Sequence, residues 1–415
     1  MARDGDNEGN HHNTIQEEHV RRALKADKGE SAELLKWSAE DFTNSGDHYI
    51  SNVTRVTVSY LLKGKQDLES YVVKMRFDEC PDIVKPLFRS CFQKEVGFYR
   101  HIVPLLNAEL IAVGLEALHF PKYHCSFLDD ESGLIFLEDL RPRGFKMADK
   151  WKGMDVTHAT LVFEELARLH AASKLLESKT SFQELTEEYD FLNLDLHKYP
   201  GPCSENFQKL FENAFATVAE ILRRNGGNEK GEEWLRANET ALGDVVERNL
   251  CRREPFAVIC HGDCWNNNML FRYDGKGIPV EVMMVDLQFS RVASLATDLR
   301  YMAAFNLTPE VRRNSLESLL ASYHDSFRSV MNAAARRSVS FSLRQLKREY
   351  EARYEWARLF LMIPLSYVTR PFDYPSDAER RSKSLATKIE ENLRRMKVVP
   401  PRYIPSILDV FGEVV

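Results

Sequence analysis

The residues best equipped for chemistry stand in one short string, His261-Gly262-Asp263-Cys264-Trp265-Asn266-Asn267-Asn268, directly after the apolar run Phe256-Ala257-Val258-Ile259-Cys260. Met269-Leu270-Phe271 follows, and a second apolar run, Val280 to Val285, ends in Asp286. Between them Tyr273-Asp274-Gly275-Lys276-Gly277 is a hairpin signal. Asn268 and Asp286 are each nine positions from Gly277, so the hairpin brings them together at its open end, and Asp263 lies in the loop that enters that end. Two carboxylates and an amide oxygen suit a hard divalent cation such as Mg²⁺, which prefers oxygen ligands and often bridges to phosphates. The plainer alternative is a loop of Asx turns and caps.

A second constellation starts at Tyr71-Val72-Val73-Lys74-Met75-Arg76-Phe77. Period two puts Tyr71, Val73, Met75 and Phe77 on one face and Val72, Lys74 and Arg76 on the other, where Lys74 alone reads as a surface lysine. On the helix that follows, Phe88, Phe92, Glu95, Tyr99 and Ile102 advance by 4, 3, 4 and 3, a buried stripe with a carboxylate in its middle. A buried carboxylate needs a cation, and Lys74 is the natural candidate unless Glu95 reaches the helix edge and water. The strand Leu134-Ile135-Phe136-Leu137-Glu138-Asp139-Leu140 ends in two acids, and its backbone there can either hydrogen-bond a flat heterocycle or simply close a strand. Ser45-Gly46-Asp47-His48, with one glycine, could fold over phosphates through backbone N–H groups. His170 reads as a packed histidine, and Asp298, opening a helix, as a cap or an anchor for the catalytic loop. Tyr301, Phe305, Tyr323, Tyr354, Trp356, Phe360 and Tyr367 read first as core and second as an apolar pocket.

The elements that must position these residues change character along the chain. Two strand-like runs, about 52–62 and 70–77, are joined by residues 63–67; a helix follows from about Val84 to Leu106, then two apolar runs at about 120–128 and 133–140. Beyond Pro142 the pattern is helical, about 155–177, 204–224 and 229–250, interrupted by the strand near Ala257 and its hairpin, and resuming at about 296–305, 309–332, 340–366 and 376–397. This predicts an α+β protein of two lobes. Residues 1–14 form a flexible tail, 15–140 an N-terminal lobe with a small antiparallel sheet and one long helix, and 141–415 a larger, mostly helical lobe, hinged near Leu140.

Composition removes several classes. With 44% hydrophobic and 28% charged residues the chain is an ordinary globular protein, and 56 basic against 62 acidic residues, net −6, leave no basic stripe for nucleic acid. Seven cysteines without a C-x-x-C pair support neither a disulfide framework nor a zinc site and read as reduced thiols of a cytoplasmic protein. No signal-peptide core opens the sequence and no run of about 18 apolar residues occurs, so no membrane insertion is expected. G-x-x-x-x-G-K-[ST], G-x-S-x-G and H-E-x-x-H are all absent.

Taken in order, Lys74, Glu95, Glu138-Asp139-Leu140, His261-Gly262-Asp263 with Asn268, and Asp286 resemble the protein-kinase-like fold in its aminoglycoside and choline phosphotransferase branch. His-Gly-Asp-x-Trp-x-x-Asn followed by Val-Asp-Leu-Gln resembles the ecdysteroid kinase-like (CHK kinase-like) family within it, over about residues 40–400. The resemblance implies ATP and Mg²⁺ as cofactors and a small-molecule acceptor, with no obligate protein partner. It implies that Gly46 sits in the phosphate loop, that Lys74 holds the α- and β-phosphates and is oriented by Glu95, and that the backbone from Glu138 to Leu140 receives adenine. Asp263 would accept the acceptor hydroxyl's proton or orient that hydroxyl, while Asn268 and Asp286 bind Mg²⁺, and His261 braces the loop. The expected activity is transfer of the γ-phosphate to a hydroxyl of an apolar acceptor, an ecdysteroid or a foreign alcohol or phenol. The alternatives are a choline- or ethanolamine-type kinase, which needs an acidic and aromatic cage, and a silent pseudokinase scaffold. Gly262 stands where protein kinases have Arg, Asp286-Leu287-Gln288 replaces Asp-Phe-Gly, and no activation segment with Ala-Pro-Glu exists, so protein substrates are disfavoured. Cys264, inside the catalytic loop, is expected to be sensitive to oxidation.

Overall fold

Alternating apolar residues build the first sheet. In the computed structural model, which describes residues 14–41, 51–76, 85–129, 132–149, 152–193, 214–334, 341–368 and 403–412, the chain divides into two compact units. Unit 1 is Met1–Cys80 with Pro121–Pro142, and unit 2 is Pro81–Phe120 with Arg143–Val415. The chain is thus α+β, with a small antiparallel sheet in the first unit and a mostly helical second unit.

Unit 1 contains α1 (Glu17–Lys28) and strands β1 (Glu33–Asp41), β2 (Ser51–Leu62), β3 (Lys65–Arg76), β4 (Tyr123–Leu128) and β5 (Gly133–Glu138), paired antiparallel in the order β1-β2-β3-β5-β4. Val56, Val58, Tyr71, Val73 and Phe136 share one face and pack with Val20, Ala23 and Leu24 of α1. The β2–β3 turn is two residues, Lys63 and Gly64, both at positive φ, which is the turn that matches strand twist. β3 therefore begins at Lys65, inside the segment expected to be a loop, while β2 ends at Leu62 as expected. α1 and β1 are additional to the elements expected from sequence.

Unit 2 opens with α2 (Lys85–Gly97), which runs through a π turn at Phe98–Ile102 into α3 (Val103–Ala112). The boundary expected at residue 140 would group this helix with the sheet, but it clusters with the helical unit. It is held there by close packing: a Cβ on Gly97 would lie 2.6 Å from the Phe191 ring. Then come β6 (Lys146–Met147), α4 (Val156–Glu177), α5 (Phe182–Glu188), α6 (described over 214–224), α7 (Glu229–Asn238) and α8 (Leu242–Leu250). They lead to β7 (Ala257–Cys260), β8 (Met269–Tyr273), β9 (Pro279–Met284) and β10 (Arg291–Ser294), with β7 pairing β10 and β8 lying between β6 and β9. α9 (Leu295–Asn306), α10 (Pro309–Ala333), α11 (Leu343–Ala352), α12 (Tyr354–Val368) and a last helix, Tyr403–Gly412, complete it. The helices expected at 229–250 and 340–366 are each two, broken at residues 239–241 and at Arg353. The helix expected at 376–397 and the start of that at 204–224 lie outside the described residues. Among the described residues no helix is long and apolar enough to cross a membrane.

Candidate active site

Four buried residues of β7 deliver the chain into the loop that starts at His261. The first two amides of that loop end on one carboxylate: His261 N–H and Gly262 N–H donate to Asp298 Oδ2 and Oδ1 at 2.7 and 2.9 Å. Asp298 sits in the first turn of α9, where the helix dipole favours an anion, and it also accepts from His170 Nε2 at 3.2 Å. Burial alone would raise the Asp298 pKa, but the His170 hydrogen bond and the surrounding donors outweigh it and hold the carboxyl below its ordinary range. His170, fully buried, shares its other ring nitrogen with the Tyr323 hydroxyl at 2.8 Å. A charged aspartate in the core therefore pins the loop from beneath.

His261 pins it from the side. Its Nδ1 accepts the Asp263 N–H at 3.3 Å, so Nε2 carries the proton and donates to the Val285 carbonyl at 3.1 Å. Burial pushes the His261 pKa down despite the charges of Asp298 and Asp286, which keeps the ring neutral and this tautomer in place. Gly262 has φ +84°, and a Cβ there would lie 2.1 Å from the Phe289 carbonyl oxygen. The loop and the segment after Asp286 are in contact at that point, and only glycine fits between them.

The β8–β9 ladder pairs Met269 with Met284, and Val285 N–H donates to the Asn268 carbonyl at 3.0 Å. A register shift between Arg272 and Tyr273 sets Asn268 against Val285, one residue short of Asp286. Asp286 itself takes φ +69°, a left-handed conformation unusual for a residue with a side chain and a mark of a locally over-determined backbone. Glu95 and Asp286 both lie near Tyr99, whose phenol is pushed well above its ordinary pKa by burial first and by those two charges next. Glu95 is 1% exposed, so it does not reach water at the helix edge.

Asp263 is buried, and both its oxygens are engaged. Asn268 Nδ2 donates to Oδ2 at 2.9 Å and to the Asp263 carbonyl at 3.1 Å, and the Tyr301 hydroxyl donates to Oδ1 at 2.9 Å. Burial and the Asp263 charge keep the Tyr301 phenol well above its ordinary pKa, so it stays a donor. With its Nδ2 committed, Asn268 has Oδ1 to offer a cation. That amide oxygen and the Asp286 carboxylate are hard oxygen donors, which is the chemistry Mg²⁺ requires. Tyr301 reads from sequence first as core and second as part of an apolar pocket; its hydrogen bond to Asp263 is what that reading does not foresee. The signal lay in its spacing, three residues after Asp298 on α9 and hence on the same helix face. Its ring lies 4.2 Å from Phe360 and 5.8 Å from Phe305, and Trp265 and Trp356 extend the row at 6.1 Å from Phe305 and 4.7 Å from Phe360. The result is an aromatic wall beside Asp263, buried at Tyr301, Phe305 and Trp356, as the core reading expects, and half-buried at Phe360 and Trp265. The side chain of Tyr367 lies outside the described residues.

In unit 1, Lys74 faces Ile135 across β3–β5 and is only 6% exposed, so it is not a solvated surface lysine. Glu138 donates its N–H to the Lys122 carbonyl at 2.9 Å, and its carboxylate accepts the Lys122 N–H at 3.1 Å. Asp139 is buried rather than solvated: it accepts from Arg55, Ser70 and the Arg141 amide and guanidinium. Burial would raise its pKa, but the Arg141 hydrogen bonds lower it further than that. Leu140 is buried. Gly46 lies outside the described residues.

Cys264 departs from its expected sensitivity to oxidation. It is completely buried, and burial pushes its thiol well above the ordinary range, so it is neither exposed nor thiolate-like and lacks both requirements for ready oxidation. Cys91, Cys125, Cys251 and Cys260 are likewise free thiols.

A buried aspartate, an asparagine five residues on and a further aspartate after the next hairpin are thus carried by one loop and the hairpin that follows it. The ecdysteroid kinase-like family profile matches residues 45–335, well over half of the sequence, and the chain belongs to that family. No curated protein matches. Among solved structures, a Plasmodium vivax ethanolamine kinase is similar at 11% identity and a TM-score of 0.38, covering 88% of this chain and 82% of its own. The GDP complex of a point mutant of an aminoglycoside 2'-phosphotransferase IIIa is similar at 11% identity and a TM-score of 0.39, covering 87% of this chain and 90% of its own. Likenesses so distant bear on neither substrate nor mechanism.

Proposed function

We propose that this protein is an ATP- and Mg²⁺-dependent kinase that phosphorylates a hydroxyl of a small apolar molecule, an ecdysteroid or a foreign alcohol or phenol. The carrying observation is the aromatic wall against which Asp263 is set, with Asn268 and Asp286 at the same hairpin end. In the reaction a bond forms between the acceptor oxygen and the γ-phosphorus as the bond to the ADP oxygen breaks, and the acceptor's proton leaves. Asp263 orients that hydroxyl and takes up its proton. Asn268 and Asp286 hold Mg²⁺, which neutralises phosphate charge when bound. Lys74 would hold the α- and β-phosphates, with Glu95 as the carboxylate expected to orient it. The backbone from Glu138 to Leu140 would receive adenine, with the Glu138 N–H itself already given to the Lys122 carbonyl. The work is positioning and charge neutralisation, which suits an acidic protein whose positive charge must be supplied locally. The site lies in a cytoplasmic protein, on this reading.

The test is a transfer assay with γ-labelled ATP and Mg²⁺ against a panel of an ecdysteroid, a simple phenol, choline and ethanolamine. Label should move to the ecdysteroid or the phenol and stop when the metal is chelated. Preferential turnover of choline or ethanolamine would replace this reading with a cationic-acceptor kinase, and no transfer to any acceptor with ATP bound would make the protein a pseudokinase.

A further inference from the structure

Asp263 can direct an acceptor hydroxyl only if its carboxylate plane is fixed, because a carboxyl group turns easily about its terminal torsion. One donor fixes one oxygen and leaves the plane free to swing; two donors on different oxygens stop it. Asn268 supplies one of them, at 2.9 Å to Oδ2, but Asn268 is also the residue whose amide oxygen this reading gives to the metal. The second donor comes from a separate element. Tyr301 reaches Oδ1 at 2.9 Å from α9, the helix whose first turn already anchors the loop through Asp298. Its ring cannot follow a moving carboxylate, being tilted against Phe360 at 4.2 Å and edge-on to Phe305 at 5.8 Å.

We propose that Tyr301 is a positioning residue for phosphoryl transfer: its hydroxyl and the Asn268 amide clamp the two oxygens of Asp263, and its ring fixes that clamp to the aromatic wall that receives the acceptor. One residue then joins recognition of the acceptor's apolar body to alignment of the carboxylate that acts on its hydroxyl. The inference rests on the function proposed above and goes beyond it. It also separates two kinds of wall residue. Tyr301 acts on the reacting group, whereas Phe360 touches Tyr301 and serves the acceptor's apolar body.

The experiment compares wild type, Tyr301→Phe, Phe360→Leu and Asp263→Asn with γ-labelled ATP, Mg²⁺ and an ecdysteroid or a simple phenol as acceptor, alongside thermal melting. Tyr301→Phe keeps the ring and removes one hydrogen bond to a charged group, so kcat should fall about 10- to 100-fold. The KM for ATP should stay within about twofold, as expected when an interaction acts on the chemical step rather than on binding. Phe360→Leu, which removes part of the wall and loosens the seat of the Tyr301 ring, should raise the acceptor KM and lower kcat less than Tyr301→Phe does. Tyr301→Phe with wild-type kcat, or with a change confined to acceptor KM, overturns the inference while a disabled Asp263→Asn leaves the functional reading standing. If Asp263→Asn equals wild type, or the wild-type protein transfers to neither acceptor, the functional reading fails and this inference with it. A fall in kcat accompanied by a large fall in melting temperature and a raised ATP KM assigns Tyr301 a merely structural role and also overturns it.

Discussion

Two buried aspartates, one in each unit, are held in different ways. Asp139, at the end of β5 in the sheet unit, accepts from the guanidinium groups of Arg55 and Arg141. Asp263, in the loop of the helical unit, accepts from the Asn268 amide and the Tyr301 phenol, both uncharged. Cations beside a carboxylate cancel its charge and depress its proton affinity, which makes a stable joint and a poor base. The two uncharged donors on Asp263 fix the direction of its oxygens. Asp298, a third buried aspartate, resembles Asp139 in being a joint: it spends its oxygens on two loop amides and His170, and so holds the loop that carries Asp263.

The largest expected effect breaks this contrast outright. Asp263→Asn should reduce transfer to the acceptor by roughly a thousandfold or more, the upper range for losing a positioned acid–base group, while thermal melting stays near wild type. Asp139→Asn should do the reverse, lowering stability by about 1.5–3 kcal/mol in urea titrations because charged hydrogen bonds become neutral ones, with kcat at saturating ATP largely kept. Between them falls Gly262→Ala. Its Cβ would meet the Phe289 carbonyl oxygen at 2.1 Å from a left-handed backbone, so the loop must move, and both stability, by roughly 2 kcal/mol or more, and transfer should drop together. A Gly262→Ala protein that behaves as wild type would contradict the rigid seating of the loop.

The sheet unit also carries an acid-sensitive histidine. His124 on β4 is pushed down to about 4 by burial, with the Asp27 charge only partly opposing. Below its unfolded pKa of about 6.5 the unfolded chain takes up a proton that the folded chain refuses. Stability should therefore fall as pH drops from about 6.5 and level off near pH 4, by roughly 2–4 kcal/mol in all. Urea midpoints across that window should show the slope, and His124→Gln should remove this part of it.

Much of the site was legible because it is local. His261 to Asn268 is one contiguous string, Asp286 follows the next hairpin, and the turn residues between them announce the pairing to within one residue. The stripe from Phe88 to Ile102 is buried along its length, since helical spacing is a property of the backbone. What was missed depends on partners far along the chain. β1 carries an irregularity at Leu34 and Lys36 that breaks the alternation by which strands are read, and β10 is four residues buried on both faces, without alternation at all. The helix break at Arg353 has neither glycine nor proline to mark it; the guanidinium there is buried against Glu349 and the Arg248 carbonyl.

The order of residues was enough to say which groups of this ecdysteroid kinase-like chain can do chemistry, because Asp263, Asn268 and Asp286 are bound to one another by short loops and a hairpin whose turn is written in Asp and Gly. What those groups rest on was settled by folding. Tyr301 looks like any buried aromatic until α9 is laid against the loop, and Asp139 looks like a solvated acid until two arginines close on it. A residue's type gives the hydrogen bonds it can make; the fold alone chooses, among donors separated by tens of residues, which ones it makes.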